Sequence, residues 1–180
     1  MMEPRTPQGT PVAVIGAGTM GAGIAQIFAQ AGYTVRLQAR KRETLEAALR
    51  RIRVNQEELV RHDLLGAADA EAARDRIAVT QDVEEALTGA AFVSENIPER
   101  LDAKQPLFAE LDRLTPPETI LSTNTSSLPI TQIARDTRHP ERVVGFHWFN
   151  PPHLIPLVEV VKGDESSDEA VQCAYDLYKM

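Results

Sequence analysis

The sequence predicts an α/β fold: a doubly wound, mostly parallel sheet with a helical hairpin inserted in it. Three observations predict it. Strand-like and helix-like runs alternate from residue 11 onward. A G-x-G-x-x-G, Gly16-Ala17-Gly18-Thr19-Met20-Gly21, joins the first strand-like run to the first helix-like one. A long charged stretch over about 43–76 has helical character and separates the second strand from the third.

The elements follow in order. Residues 11–15 form an apolar strand, and Met20, Ile24, Ile27, Phe28 and Ala31 recur on one face of the helix that follows, with Gly32 as its C-terminal cap. Residues 33–38 form the second strand. A helix from about Glu43 to His62 and a shorter one from Ala67 to Arg74 make the hairpin, part of which is expected to project from the body. Strands at 77–80, 91–95 and 119–122 alternate with helices at 82–87, 101–114 and 129–135. Strands at 143–147 and 157–161 complete the sheet, and Ser166-Ser167-Asp168 caps a last helix. The first ten residues, polar and proline-rich, read as a disordered lead-in to one Rossmann-type dinucleotide-binding domain over 11–180.

Bulk properties narrow the function classes. A net charge of −7 argues against nucleic acid as a partner, which calls for a basic surface. No apolar stretch is long enough to span a bilayer, and no signal-peptide core is present, so the cytoplasm is expected. The one cysteine, Cys173, excludes a disulfide framework within the chain and reads as a small core or interface residue. No metal is expected.

The glycine turn places a pyrophosphate on the free N–H groups of the first helix. An NAD site carries Asp or Glu at the tip of the second strand, about 20 residues on. Here the tip reads Gln38-Ala39-Arg40-Lys41-Arg42, with no acid and three bases in a row. Arginine suits planar recognition of phosphate, so the tip leans toward the 2′-phosphate of NADP. Solvated helix-start charges with NAD bound weakly is the other reading.

The second half carries candidate chemistry. Ser122-Thr123-Asn124-Thr125-Ser126-Ser127 places hydroxyls and an amide at the carboxyl end of a strand, where open α/β sheets bind ligands. His147 ends an apolar strand, and Glu159 sits within another, Leu157-Val158-Glu159-Val160-Val161. A half-buried carboxylate needs a partner, and a His–Glu pair is a general acid/base unit suited to hydride transfer between alcohol and ketone.

Four motifs in order resemble the N-terminal domain of the L-3-hydroxyacyl-CoA dehydrogenase family. They are the glycine loop with Met-Gly-x-Gly-Ile-Ala, Asn-Thr-Ser-Ser-Leu, His-x-Phe-Asn-Pro and Leu-Val-Glu-Val. The resemblance implies that His147 is the catalytic acid/base, Glu159 its partner twelve residues on, and Ser126 a hydrogen-bond donor to the substrate oxygen. It implies that Gly16, Gly18, Met20 and Gly21 contact the pyrophosphate, and that Glu99, Lys104 and Asn124 line the nicotinamide half. Asn150 is expected to shape the substrate pocket.

Three departures qualify it. Ala39 stands where the family has its ribose-binding Asp, with Arg40 next, so the cofactor is NAD by family and NADP by these residues. The hairpin tip offers only Arg61 for the phosphates of CoA, which keeps a free 3-hydroxy acid, as in carnitine or gulonate dehydrogenases, alive as substrate. The family's helical C-terminal domain is expected to be absent after Met180. The chain alone is then expected to be feebly active, with Ile155, Leu157, Leu177 and Tyr178 exposed for self-association into a homo-oligomer. A non-catalytic nucleotide-binding module is the remaining alternative.

Overall fold

A computed structural model describes residues 11–178; the expected lead-in over 1–10 lies outside them. Seven strands form one sheet in the order β3-β2-β1-β4-β5-β6-β7. In chain order the elements are β1 (Pro11–Ile15), α1 (Thr19–Gln30), β2 (Thr34–Gln38), α2 (Arg42–Arg61), α3 (Ala67–Asp75) and β3 (Ile77–Thr80). Then come α4 (Val83–Leu87), β4 (Phe92–Glu95), α5 (Leu101–Leu114), β5 (Ile120–Thr123) and α6 (Ile130–Ile133). β6 (Val143–Trp148), β7 (Val158–Lys162) and α7 (Asp168–Tyr178) close the chain. The strand order reverses between β1 and β4, and a crevice opens at that point.

Strand alternation builds two cores. Val12 and Val14 of β1 face one side with Ile24, Phe28 and Ala174, while Ala13 and Ile15 face the other with Phe108 and Leu111. On the first side a run of ring contacts, tilted for Phe28–Phe92 and edge-to-face for Phe92–Phe146 and Phe146–Trp148, ties α1 to the end of β6. α1 ends in a Schellman motif: Gly32 has φ 98°, its N–H donates to Ala29 O, and Tyr33 N–H donates to Phe28 O. Ser167 Oγ accepts from Ala170 N–H at 3.0 Å and caps α7, as its sequence suggests.

Strands β1 to β6 are parallel, and β7 pairs antiparallel with β6 at the sheet edge. α2 buries Leu45, Ala48, Ile52 and Gln56; in its last turn Glu58 and Arg61 are exposed while Leu59 and Val60 stay half-buried. Leu177 corrects an expectation of exposure: it is buried against the first core. Leu157 is exposed. Among the described residues no helix is long and apolar enough to cross a membrane.

Candidate active site

The site forms where β1, β4, β5 and β6 present their carboxyl ends. A cleft of about 660 Å³ there is lined by Met20, Asn96, Glu99, Asn124, Ser126 and His147, among others.

The glycine turn is dictated by space. Gly16 has φ 97°, and a Cβ there would lie 2.6 Å from Asn96 O. A Cβ on Gly21 would lie 1.8 Å from Gly16 O, so α1 approaches β1 more closely than any side chain allows. Gly18 is different: nothing lies within 4 Å of its Cβ direction. It caps α1 without a side chain, and the first turn holds no acid. The helix therefore starts with backbone N–H groups facing open space, which suits a dinucleotide pyrophosphate.

At the tip of β2, Gly16 N–H donates to Gln38 O at 2.9 Å, which holds the tip against the glycine turn. Ala39 is buried and offers no polar atom beyond its backbone. Arg40 and Lys41 are exposed. Gln81 Nε2 donates to Arg40 O at 2.9 Å and Gln38 Nε2 to Gln81 O at 3.1 Å, which fixes the backbone that carries Arg40. Arg42 is engaged by Glu46 one turn on.

His147 and Glu159 are directly opposite each other across the β6/β7 ladder. That register explains the spacing of twelve: the two strands fold back so that paired residue numbers share a sum, and the two side chains meet on one face. His147 Nδ1 lies 2.9 Å from Glu159 Oε2 and Nε2 lies 3.1 Å from Ser126 Oγ. A carboxylate only accepts, so Nδ1 carries the proton, and in the neutral ring Nε2 accepts from the serine hydroxyl. Glu159 corrects one expectation. Its side chain is 56% exposed, because β7 is an edge strand with this face open, whereas His147 is 18% exposed.

Ser126 is set by a neighbour that spacing alone does not reveal. Glu99 Oε1 accepts from Thr125 Oγ1 at 2.5 Å, Ser126 N–H at 2.9 Å and Ser127 N–H at 3.2 Å. Burial pushes the Glu99 carboxyl up; the Thr125 and Ser126 hydrogen bonds, the Lys104 charge and the Ser127 N–H outweigh it and hold it below the usual range. Asn124 Oδ1 accepts from Trp148 N–H at 2.8 Å, which ties the β5 loop to β6 and leaves the amide NH₂ to donate. Asn150 is exposed on the cleft wall.

Two expected site residues lie elsewhere. Lys104 is 1% exposed and does not form the wall; its ammonium faces Glu95 and stands behind Glu99. Arg61 closes the far end of α2, a 20-residue helix about 30 Å long, and pairs with Glu58 rather than lining the cleft.

Three site features escaped sequence reasoning. Asn96 follows β4 beneath the glycine turn; its Nδ2 donates to Ser94 O, and its buried Oδ1 has no donor among the described residues. Glu95 is an acid closing an apolar strand, a signal present in the sequence itself. Gly23 packs so tightly on the loop after β6 that a Cβ would lie 2.5 Å from Pro152 Cγ.

The Ser–His–Glu line also has the outline of a hydrolase relay, but the neighbouring N–H groups that would hold an oxyanion are taken by Glu99. The arrangement is chemically suited to proton exchange with a hydroxyl group.

Comparison with known proteins identifies the family. The family model described as "3-hydroxyacyl-CoA dehydrogenase, NAD binding domain" matches residues 11–180. A probable 3-hydroxybutyryl-CoA dehydrogenase of Bacillus subtilis is 44% identical over 161 residues, 88% of this chain and 55% of the relative. An L-carnitine dehydrogenase of Streptomyces griseus is 40% identical, over 93% of this chain and 49% of the relative. The crystal structure of a 3-hydroxybutyryl-CoA dehydrogenase from Escherichia coli K12 superposes with a TM-score of 0.91 at 42% identity, covering 94% of this chain and 36% of that one. The chain thus spans about half the length, or less, of these relatives.

Proposed function

The chain belongs to the 3-hydroxyacyl-CoA dehydrogenase family as its NAD binding domain, and on that premise we propose that it is the nucleotide-binding and acid/base half of an enzyme interconverting a 3-hydroxyacyl-CoA and a 3-ketoacyl-CoA. The observation that carries this reading is the line Ser126–His147–Glu159, joined at 3.1 and 2.9 Å on the rim of the cleft beside the glycine turn.

In the oxidation direction the substrate hydroxyl lies between Ser126 Oγ and His147 Nε2. A nicotinamide cofactor, held at the start of α1, would supply the acceptor for the hydride of the hydroxyl-bearing carbon. His147 takes the hydroxyl proton on Nε2 as the carbonyl forms, Glu159 steadies the ring through Nδ1–H, and Ser126 keeps a hydrogen bond to the same oxygen. Glu99 holds the backbone of Ser126 and Ser127 in place. The N–H groups at the start of α1, with Gly16, Gly18, Met20 and Gly21 around them, hold the pyrophosphate. Asn124 donates its amide to the ribose or carboxamide. The setting is the cytoplasm, with a small-molecule substrate and without nucleic acid.

The same proposal favours NADP over NAD. Arg40 is exposed at the tip of β2, its backbone is held by Gln81, and Ala39 provides no acceptor for ribose hydroxyls. Calorimetric titration of NAD(H) and NADP(H), with Arg40→Asp alongside, tests it. Tighter NADP binding that Arg40→Asp reverses is the expected result. Equal or tighter NAD binding refutes the preference and leaves the NAD chemistry of the family standing.

A free 3-hydroxy acid is the second reading, favoured by the remoteness of Arg61 from the cleft and by the carnitine dehydrogenase relative. Oxidation of the reduced cofactor by acetoacetyl-CoA, set against short keto acids, separates the two.

A further inference from the structure

Beneath the cleft lies a charge cluster for which the proton chemistry has no use. Glu95, the last residue of β4, is 0% exposed, and Lys104, from the first turn of α5, is 1% exposed. Lys104 Nζ lies 2.7 Å from both Glu95 carboxylate oxygens. Glu95 also accepts from Ile97 N–H and Thr123 Oγ1, each at 2.6 Å. A buried ion pair is a poor route to stability, since apolar residues of similar size often serve as well. The start of a helix is also the wrong end for a cation. This pair nonetheless sits at the point where the strand order reverses, under the ligand crevice.

The arithmetic of charge gives it a use. Lys104 Nζ is 3.6 Å from Glu99 Oε2, so one ammonium serves two carboxylates. Glu95 holds it at both oxygens and at the shorter distance. The cluster therefore carries a net charge of −1, and the less compensated carboxylate is Glu99, which is 39% exposed and lines the cleft. Arg100, next along the chain, is paired with Asp102 and exposed. Glu99 is tied to the backbone of Ser126, whose hydroxyl meets His147, so the carboxylate sits beside the reacting position.

We propose that the Glu95–Lys104–Glu99 cluster sets the preference of the cleft between oxidised and reduced cofactor, by leaving one uncompensated negative charge where the ring is positive only in the oxidised form. This rests on the dehydrogenase reading above. Glu95 and Lys104 are positioning residues, which fix how much of the Glu99 charge the cleft feels. A unit charge about 6 Å away, on a side chain open enough to water for an effective dielectric constant of about 40, changes a binding ratio by roughly tenfold.

The test is calorimetry of the chain with oxidised and reduced cofactor, read as the ratio of the two dissociation constants, with thermal melts to confirm folding. Glu99→Gln keeps the acceptor and removes the charge; the preference for the oxidised form is expected to fall roughly tenfold. Glu95→Gln leaves Lys104 to neutralise Glu99, and the preference is expected to fall although Glu99 is intact. Glu99→Lys, on a half-exposed side chain, is expected to invert the preference and gives a reading even if Glu95→Gln does not fold. A purely structural role moves both affinities together and leaves the ratio fixed; that result in Glu99→Gln or Glu99→Lys overturns the proposal. A shifted ratio in Glu99→Gln with an unchanged one in folded Glu95→Gln overturns the part given to the buried pair. Failure of the unaltered chain to bind either form counts against the dehydrogenase reading instead.

Discussion

Glu159 offers the sharpest separation of stability from chemistry. Its carboxylate touches His147 Nδ1 at 2.9 Å, yet the side chain is 56% exposed on an edge strand. A pair so open to water contributes about 0–1 kcal/mol to folding. Glu159→Gln is therefore expected to lower the melting temperature by no more than about 3 °C in a chain of this size. The effect on the reaction is larger. His147 gains a positive charge when it takes the hydroxyl proton, and the carboxylate beside it is the nearest compensation. At about 4 Å, with an effective dielectric constant between those of a protein surface and water, that charge is worth about 2 kcal/mol, or roughly thirtyfold in rate. Gln also donates as readily as it accepts, so it no longer fixes the Nδ1–H tautomer. The assay is turnover of acetoacetyl-CoA with reduced cofactor, paired with a thermal melt. Unchanged turnover, or a stability loss above about 2 kcal/mol with turnover intact, refutes the reasoning and makes Glu159 a structural residue.

Asp112 and Arg142, 1% and 2% exposed, form a buried pair away from the cleft, at the start of β6. Burial pushes the Asp112 carboxyl up, but hydrogen bonds from Arg142 and Arg138 N–H, the Arg142 charge and His139 hold it below the usual range. A lowered folded value gives stability that is fully present above the unfolded carboxyl value of about 4 and is lost as pH falls through the folded one. Asp112→Asn is expected to cost about 3 kcal/mol at neutral pH. Thermal melts from neutral to acid pH should show the gap to wild type closing below about pH 4; a constant gap contradicts the pairing. Gly21→Ala places a Cβ 1.8 Å from Gly16 O, so α1 must move off β1. Cofactor affinity should fall at least roughly tenfold by calorimetry, and an unchanged affinity would show that the turn can relax.

What the sequence determined by itself is local or periodic. The Gly16–Gly21 turn, the strand–helix alternation and the Schellman glycine at 32 follow from steric rules that operate within a few residues. The pairing of His147 with Glu159 was legible because a carboxylate within an apolar strand needs a partner and because the family motifs imply it, whereas the antiparallel register that sets them opposite each other came from the fold. The tertiary structure alone decided exposure and company. Glu159 reads as half-buried from its apolar neighbours, but burial depends on what covers β7, and an edge strand leaves that face open. Lys104 reads as a cleft residue, but α5 turns it inward onto Glu95, nine residues earlier on a different element. The hold of Glu99 on Ser126 joins residues 27 positions apart. Such contacts leave no period in the sequence, because a folded sheet sets them by the order of its strands rather than by the order of the chain.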